Sequence, residues 1–93
     1  MKFNYSENRI YLNDETGKTV AEVTFPPVSQ STVNINHTFV DDSLRGQGIA
    51  NELLLAAAQS LREKQMKAYP TCSYAIHWFS KHPEFADVYS DHP

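Results

Sequence analysis

An α/β chain of the α+β kind is what the sequence predicts: a mixed, mainly antiparallel sheet of about five strands with two helices, in the order β-β-β-β-α-β-α. Three observations carry that expectation. The first forty residues hold short segments with strand-like alternation and brief polar links. After Gly48 the period changes, and Ile49, Leu53, Leu54, Ala57 and Leu61 recur at helical spacing. Between the two regimes lies Val40-Asp41-Asp42-Ser43-Leu44-Arg45-Gly46-Gln47-Gly48-Ile49-Ala50, with two of the chain's three glycines.

Phe3-Asn4-Tyr5 and Arg9-Ile10-Tyr11-Leu12 alternate apolar and polar, as half-buried strands do. Asn13 to Gly17 is a turn by composition. Val20 to Phe25 predicts a third strand, which Pro26-Pro27 stops because proline has no N–H for a ladder. Val33 to Val40 predicts one continuous fourth strand. On it Val33, Ile35, His37 and Phe39 share one face, and Asn34, Asn36, Thr38 and Val40 the other. Short links between the four imply an antiparallel meander. A long helix is expected from Gly48 to Met66, with Arg62, Lys64 and Lys67 crowding its C-terminal end, where cations suit the dipole. Lys67 to Thr71 predicts a fifth strand, parallel to the fourth because a helix joins them. Ser73 to Lys81 predicts a second helix, broken by His82-Pro83-Glu84, and Phe85 to Tyr89 a last extended piece.

The 93 residues predict a single domain, 1–93, with a modest core. One cysteine excludes an intramolecular disulfide framework. No apolar run approaches a membrane-spanning length, and the N-terminus lacks a signal-peptide core, so a cytoplasmic protein with no membrane partner is expected. The net charge of −3 argues against nucleic acid, which wants a basic stripe, and suits a cationic or neutral amine.

Glycine lets a backbone approach a ligand with no Cβ in the way. The first N–H groups of a helix have no intrahelical partner, and the dipole adds positive charge there. The glycine loop before the long helix therefore fits a phosphate or pyrophosphate. Two other phosphate loops fail. Asn51 stands where a dinucleotide fingerprint needs glycine or alanine, and neither Gly46 nor Gly48 begins the Gly-Lys-Ser/Thr of a P-loop.

Arg45-Gly46-Gln47-Gly48-Ile49-Ala50 resembles, residue for residue, the acyl-CoA pyrophosphate loop Q/R-x-x-G-x-G/A of the GCN5-related N-acetyltransferases (GNAT superfamily). With Ile35-Asn36-His37-Thr38 before the loop and Cys72-Ser73-Tyr74-Ala75 after it, nearly the whole chain looks like that superfamily's very short YjdJ-type branch, NATD1-like in animals. The resemblance implies a minimal GNAT fold and an acetyl-CoA-dependent N-acetyltransferase, with acetyl-CoA as co-substrate and an amine acceptor, small molecule or protein. It implies pyrophosphate binding along Arg45, Gly46, Gln47, Gly48, Ile49 and Ala50, and a thioester carbonyl held by backbone N–H groups at Phe39 and Val40. The one or two helices that usually follow the first strand are missing here, which implies an open acceptor site or one completed by a partner.

The family's usual acid is a tyrosine in a pattern close to N-x-x-A-x-x-x-Y. With its alanine set on Ala75, Phe79 falls at the tyrosine and Cys72 at the asparagine. Phenylalanine cannot donate a proton, so Cys72 and Tyr74 are the nearest replacements. Cys72 precedes a helix, a setting that favours thiolate. It stands as a nucleophile, as an acid or as a residue that merely packs. His37 is a candidate base for the amine proton, against the plainer reading of a strand histidine bonded on the sheet face. Asp41 and Asp42 are expected as loop polar groups. Cys72, His77 and His82 do not match common zinc spacings, so no metal is expected. Trp78, Phe79 and Phe85 are expected as packing. The second functional reading is a non-catalytic acyl-CoA-binding module, and the third an interaction domain without CoA.

Overall fold

Residues 2–93 are described by the computed structural model. β1 (Asn4–Ser6), β2 (Arg9–Asn13), β3 (Thr19–Thr24) and β5 (His37–Val40) form an antiparallel sheet in that order. β4 (Thr32–Ile35) lies parallel to β6 (Lys67–Pro70) as a second, two-stranded sheet. Between them run α1 (Ile49–Glu63) and then, after β6, α2 (Ser73–Ser80). The expected meander, the helix-linked parallel pair and both helices are present.

The expected fourth strand is not continuous. Asn36 N–H reaches Thr24 C=O at 3.3 Å, while Thr24 is also the register partner of His37. Two residues thus oppose one, which is a β-bulge, and the Thr24 hydroxyl meets Asn36 Oδ1 at 2.6 Å to hold it. One extra residue reverses every side chain beyond it. Val33 and Ile35 are buried, yet His37 and Phe39 are exposed, while Thr38 and Val40 turn inward. The single shared face expected for Val33, Ile35, His37 and Phe39 is therefore corrected. The bulge also bends the chain so that β4 leaves β3 and pairs with β6.

The α1 sequence is rich in alanine, leucine and glutamate, strong helix formers. It ends at Glu63, three residues before the expected Met66. Gln65 takes a left-handed φ of 58°, with Gln65 N–H to Arg62 C=O at 3.0 Å and Met66 N–H to Leu61 C=O at 2.9 Å. That is a Schellman stop made without glycine. The apolar stripe Ile49, Leu53, Leu54, Ala57, Ala58 and Leu61 is buried against Ile10, Val23, Val33, Ile35 and Ala68 of the strands. Each large aliphatic so buried contributes about 1.5–3 kcal/mol.

Where a last extended piece is expected over Phe85 to Tyr89, the chain forms a 3₁₀ turn, Pro83–Phe85, and a single bridge from Tyr89 to Ala68. Arg62 clamps this segment. Its guanidinium pairs with Asp87 at 2.7 and 2.9 Å, donates to Glu84 C=O at 2.6 Å, and lies 4.3 Å over the Phe85 ring.

Candidate functional site

The loop after β5 begins with Asp41, whose carboxylate accepts from the Ser43 N–H at 3.0 Å and its hydroxyl at 2.6 Å. The hydroxyl first, and then the N–H, hold this carboxyl below the usual carboxylate range. Asp41 is thereby a cap for the turn Asp42–Leu44. Arg45 pairs with Asp42 at 2.9 Å, with both side chains largely in solvent, so the pair restrains Arg45 only weakly.

Gly48 follows at φ 72°, a left-handed conformation that other residues adopt at a cost, and it caps α1 with no side chain. The first intrahelical bond is Glu52 N–H to Gly48 C=O at 3.1 Å. The N–H groups of Ile49, Ala50 and Asn51 precede it, at the positive end of the dipole. They sit in a concavity of about 190 Å³ lined by Val40, Leu44, Arg45, Gly46, Gly48, Ile49, Ala50, Asn51 and Tyr74. A Cβ built on Gly48 meets nothing within 4 Å, so space beside the backbone is open. Such a cradle suits an anion.

Along β5, Asp41 N–H donates to Val20 C=O at 2.7 Å, and Phe39 is the register partner of Glu22. Antiparallel pairs alternate, so the Phe39 backbone faces β3 and the Thr38 and Val40 backbones face the open edge. Of the two backbones expected to hold the thioester, that of Val40 faces the open edge, with that of Thr38, and that of Phe39 is turned to β3. Neighbouring residues of a strand point their N–H groups to opposite edges, so Phe39 and Val40 do not both face the open one.

Ile35 C=O receives the N–H groups of Thr71 (3.0 Å) and Cys72 (3.3 Å), which sets Cys72 where β5 and β6 part. Cys72 is the N-cap of α2, its sulfur accepting Ala75 N–H at 3.4 Å and lying 3.4 Å from Thr38 Oγ1. It is half-buried at the rim of the core. Tyr74, in the first turn of α2, shares the concavity with the glycine loop, and burial pushes its hydroxyl above the usual phenol value. His37 is on the opposite face of β5 from Thr38. Its Nε2 is 3.6 Å from Glu22 Oε2, and Glu22 is itself held by Arg9 Nε at 2.7 Å. The structure thus brings together the glycine loop, Val40 and Tyr74, and places Cys72 on Thr38; His37 stands apart on the outer face. Phe79 is buried between Trp78 and Tyr89. His77 is exposed, and among the described residues no three His, Cys, Asp or Glu side chains gather as metal ligands.

Asn51 is a further site residue that linear reasoning passed over. Its Oδ1 accepts the Trp78 indole N–H at 2.7 Å, and no spacing rule joins residues 27 positions apart.

The family model described as GCN5-related N-acetyl-transferase matches residues 9–88. The chain belongs to the GCN5-related N-acetyltransferase family. A GCN5-like member from Staphylococcus aureus, solved in solution, superposes with a TM-score of 0.80 at 36% identity, covering 96% of this chain and 87% of that one. Protein NATD1 of Xenopus tropicalis is 39% identical over 56 residues, 60% of this chain and 51% of that protein. The chain thus spans about half the length of the curated relatives it matches. The GNAT family acetyltransferase YhbS of Escherichia coli, solved in complex with CoA, has a TM-score of 0.62 at 21% identity, covering 84% of this chain and 44% of that one, a likeness of fold alone. GCN5-related acetyltransferases share the α/β fold described above.

Proposed function

We propose that this chain is an acetyl-CoA-dependent N-acetyltransferase that passes the acetyl group to an amine. One observation carries the reading: the bare N-terminus of α1 opens into the same concavity as Val40 and Tyr74. The pyrophosphate lies on the N–H groups of Ile49, Ala50 and Asn51, with Arg45 and Gln47 at its side. The pantetheine arm runs along the open edge of β5. The Thr38 and Val40 N–H groups meet it and the thioester carbonyl, where fixed donors stabilise developing oxyanion charge.

The sulfur end then reaches Cys72. As the acceptor nitrogen bonds to the acetyl carbon, the carbon–sulfur bond breaks. The amine proton leaves to water at the open edge, and the CoA thiolate takes a proton from the Tyr74 phenol, which is neutral at physiological pH. A relay in which the Cys72 sulfur holds the acetyl group between two transfers is tested by the same chemistry.

A second reading, a non-catalytic acyl-CoA-binding module, is favoured by one observation. Phe79 occupies the position of the family's tyrosine and is buried, with no proton to give. Acetyl-CoA titration followed by acetyl transfer to a panel of amines separates the two. Tight binding with no transfer to any amine selects the module, and no binding overturns both.

A further inference from the structure

We infer that Asn51 is a positioning residue for acyl transfer, setting the N-terminus of α2 against the anion-binding N-terminus of α1. The inference rests on the acyl-CoA reading above. Its basis is the bond from Trp78 Nε1–H to Asn51 Oδ1, 2.7 Å and part-buried. Among the described residues it is the one side-chain hydrogen bond that joins α1 to α2.

The two helices carry the two ends of the site. α1 presents the N–H groups of Ile49, Ala50 and Asn51. α2 carries Cys72 at its cap and Tyr74 in its first turn. A bound acyl-CoA would span them, so their relative placement fixes where the thioester stops against Cys72. α2 has only eight residues. It needs an anchor, and Trp78 is one. The indole is 3% exposed, edge-on to Phe79, and stacked on His82 with centroids 3.9 Å apart and planes 12° apart. His82 Nδ1 in turn bonds the Trp78 carbonyl at 2.7 Å. Trp78 cannot shift without moving this cluster, so the Asn51 bond transmits its position to the loop. Asparagine is a poor helix former beside the alanines and leucines around it, and this bond gives it a reason to be there. Its backbone N–H meanwhile remains available to the anion, so binding and placement are separable.

The test compares Asn51→Ala and Asn51→Asp with the wild type. CoA affinity is measured by calorimetry, turnover at saturating acetyl-CoA, and shielding of Cys72 from iodoacetamide by bound CoA through intact mass. Asn51→Ala should keep CoA affinity and lose about tenfold or more in turnover, since small misplacements of reacting groups are that costly. Its Cys72 should be alkylated even with CoA bound. Asn51→Asp keeps an acceptor for the indole. At saturating CoA it should restore most of the turnover and shielding that Asn51→Ala loses, while weakening CoA affinity, because its charge lies beside the pyrophosphate. The inference is overturned if Asn51→Ala matches the wild type in all three readouts, if its affinity and turnover fall in proportion, or if Asn51→Asp loses turnover as Asn51→Ala does. Wild type that binds CoA and shields Cys72 but acetylates no amine ends the enzyme reading, and the shielding arm then decides the inference alone. Wild type that binds no CoA ends both.

Discussion

Thr38 Oγ1 and Cys72 Sγ meet at 3.4 Å across the point where β5 and β6 diverge. Thirty-four residues separate them in the chain. The contact closes the apex of the cleft, and Cys72 adds to it the role of cap for α2. Stability and chemistry can therefore be told apart at this one residue.

Serine caps helices well and alanine does not, the difference being typically about 1 kcal/mol. Cys72→Ser should hold or raise the melting temperature, and Cys72→Ala should lower it. Both should lose most transfer activity while binding acetyl-CoA. In the wild type, iodoacetamide should modify Cys72, and CoA should shield it. Normal turnover in both variants would leave the thiol a packing and capping group only.

At Gly48 the φ of 72° taxes any side chain, by about 1–2 kcal/mol for an L-residue. Gly17, in the turn before β3, has φ 89° and equally open surroundings. Gly48→Val and Gly17→Val should thus both lower stability, and only Gly48→Val should abolish acetyl-CoA binding. If the two variants titrate acetyl-CoA alike, the α1 N-terminus is not the pyrophosphate site.

Tyr74→Phe removes a hydroxyl from the concavity and leaves the ring in place. Turnover should fall by about 10²-fold or more, as loss of a general acid does, with affinity for CoA and melting temperature near wild type. A fall in affinity with turnover per bound complex intact would make Tyr74 a cofactor contact instead.

Arg62, by its hydrogen bonds first, holds the Asp87 carboxyl below its ordinary value of 3.8. A carboxyl whose folded pKa is depressed favours folding above its unfolded pKa and stops doing so as pH falls through the folded one. Asp87→Asn should therefore lower the melting temperature at pH 7, by a small amount because the pair is exposed to solvent. At pH 2 the variant and the wild type should converge. An equal gap at both pH values would mean that the carboxylate charge is not what Arg62 uses.

Much of this fold is legible in the chain because its signals are local. Ile49, Leu53, Leu54, Ala57 and Leu61 announce α1 by spacing alone, and all five are buried in it. Val20 to Phe25 and Lys67 to Thr71 likewise announce β3 and β6, and Gly46 and Gly48 mark the loop. Pro83 marks the end of α2. The end of α1 was less legible, because Gln65 performs a turn usually given to glycine.

Local pattern, by itself, determined which segments become helices and strands, that a helix joins two parallel strands, and that the long helix starts from a glycine loop with no side-chain cap. Tertiary structure alone decided how those elements face one another. The bulge at Asn36 arises from its meeting with Thr24, twelve residues away, and it reverses His37, Thr38, Phe39 and Val40. The meetings of Thr38 with Cys72, of Asn51 with Trp78, and of Arg62 with Asp87 likewise join distant residues. Periodicity is a property of neighbours along the chain. Strand register and helix placement are set instead by pairing and burial between segments far apart in sequence, and one residue of register is enough to exchange the two faces of a strand.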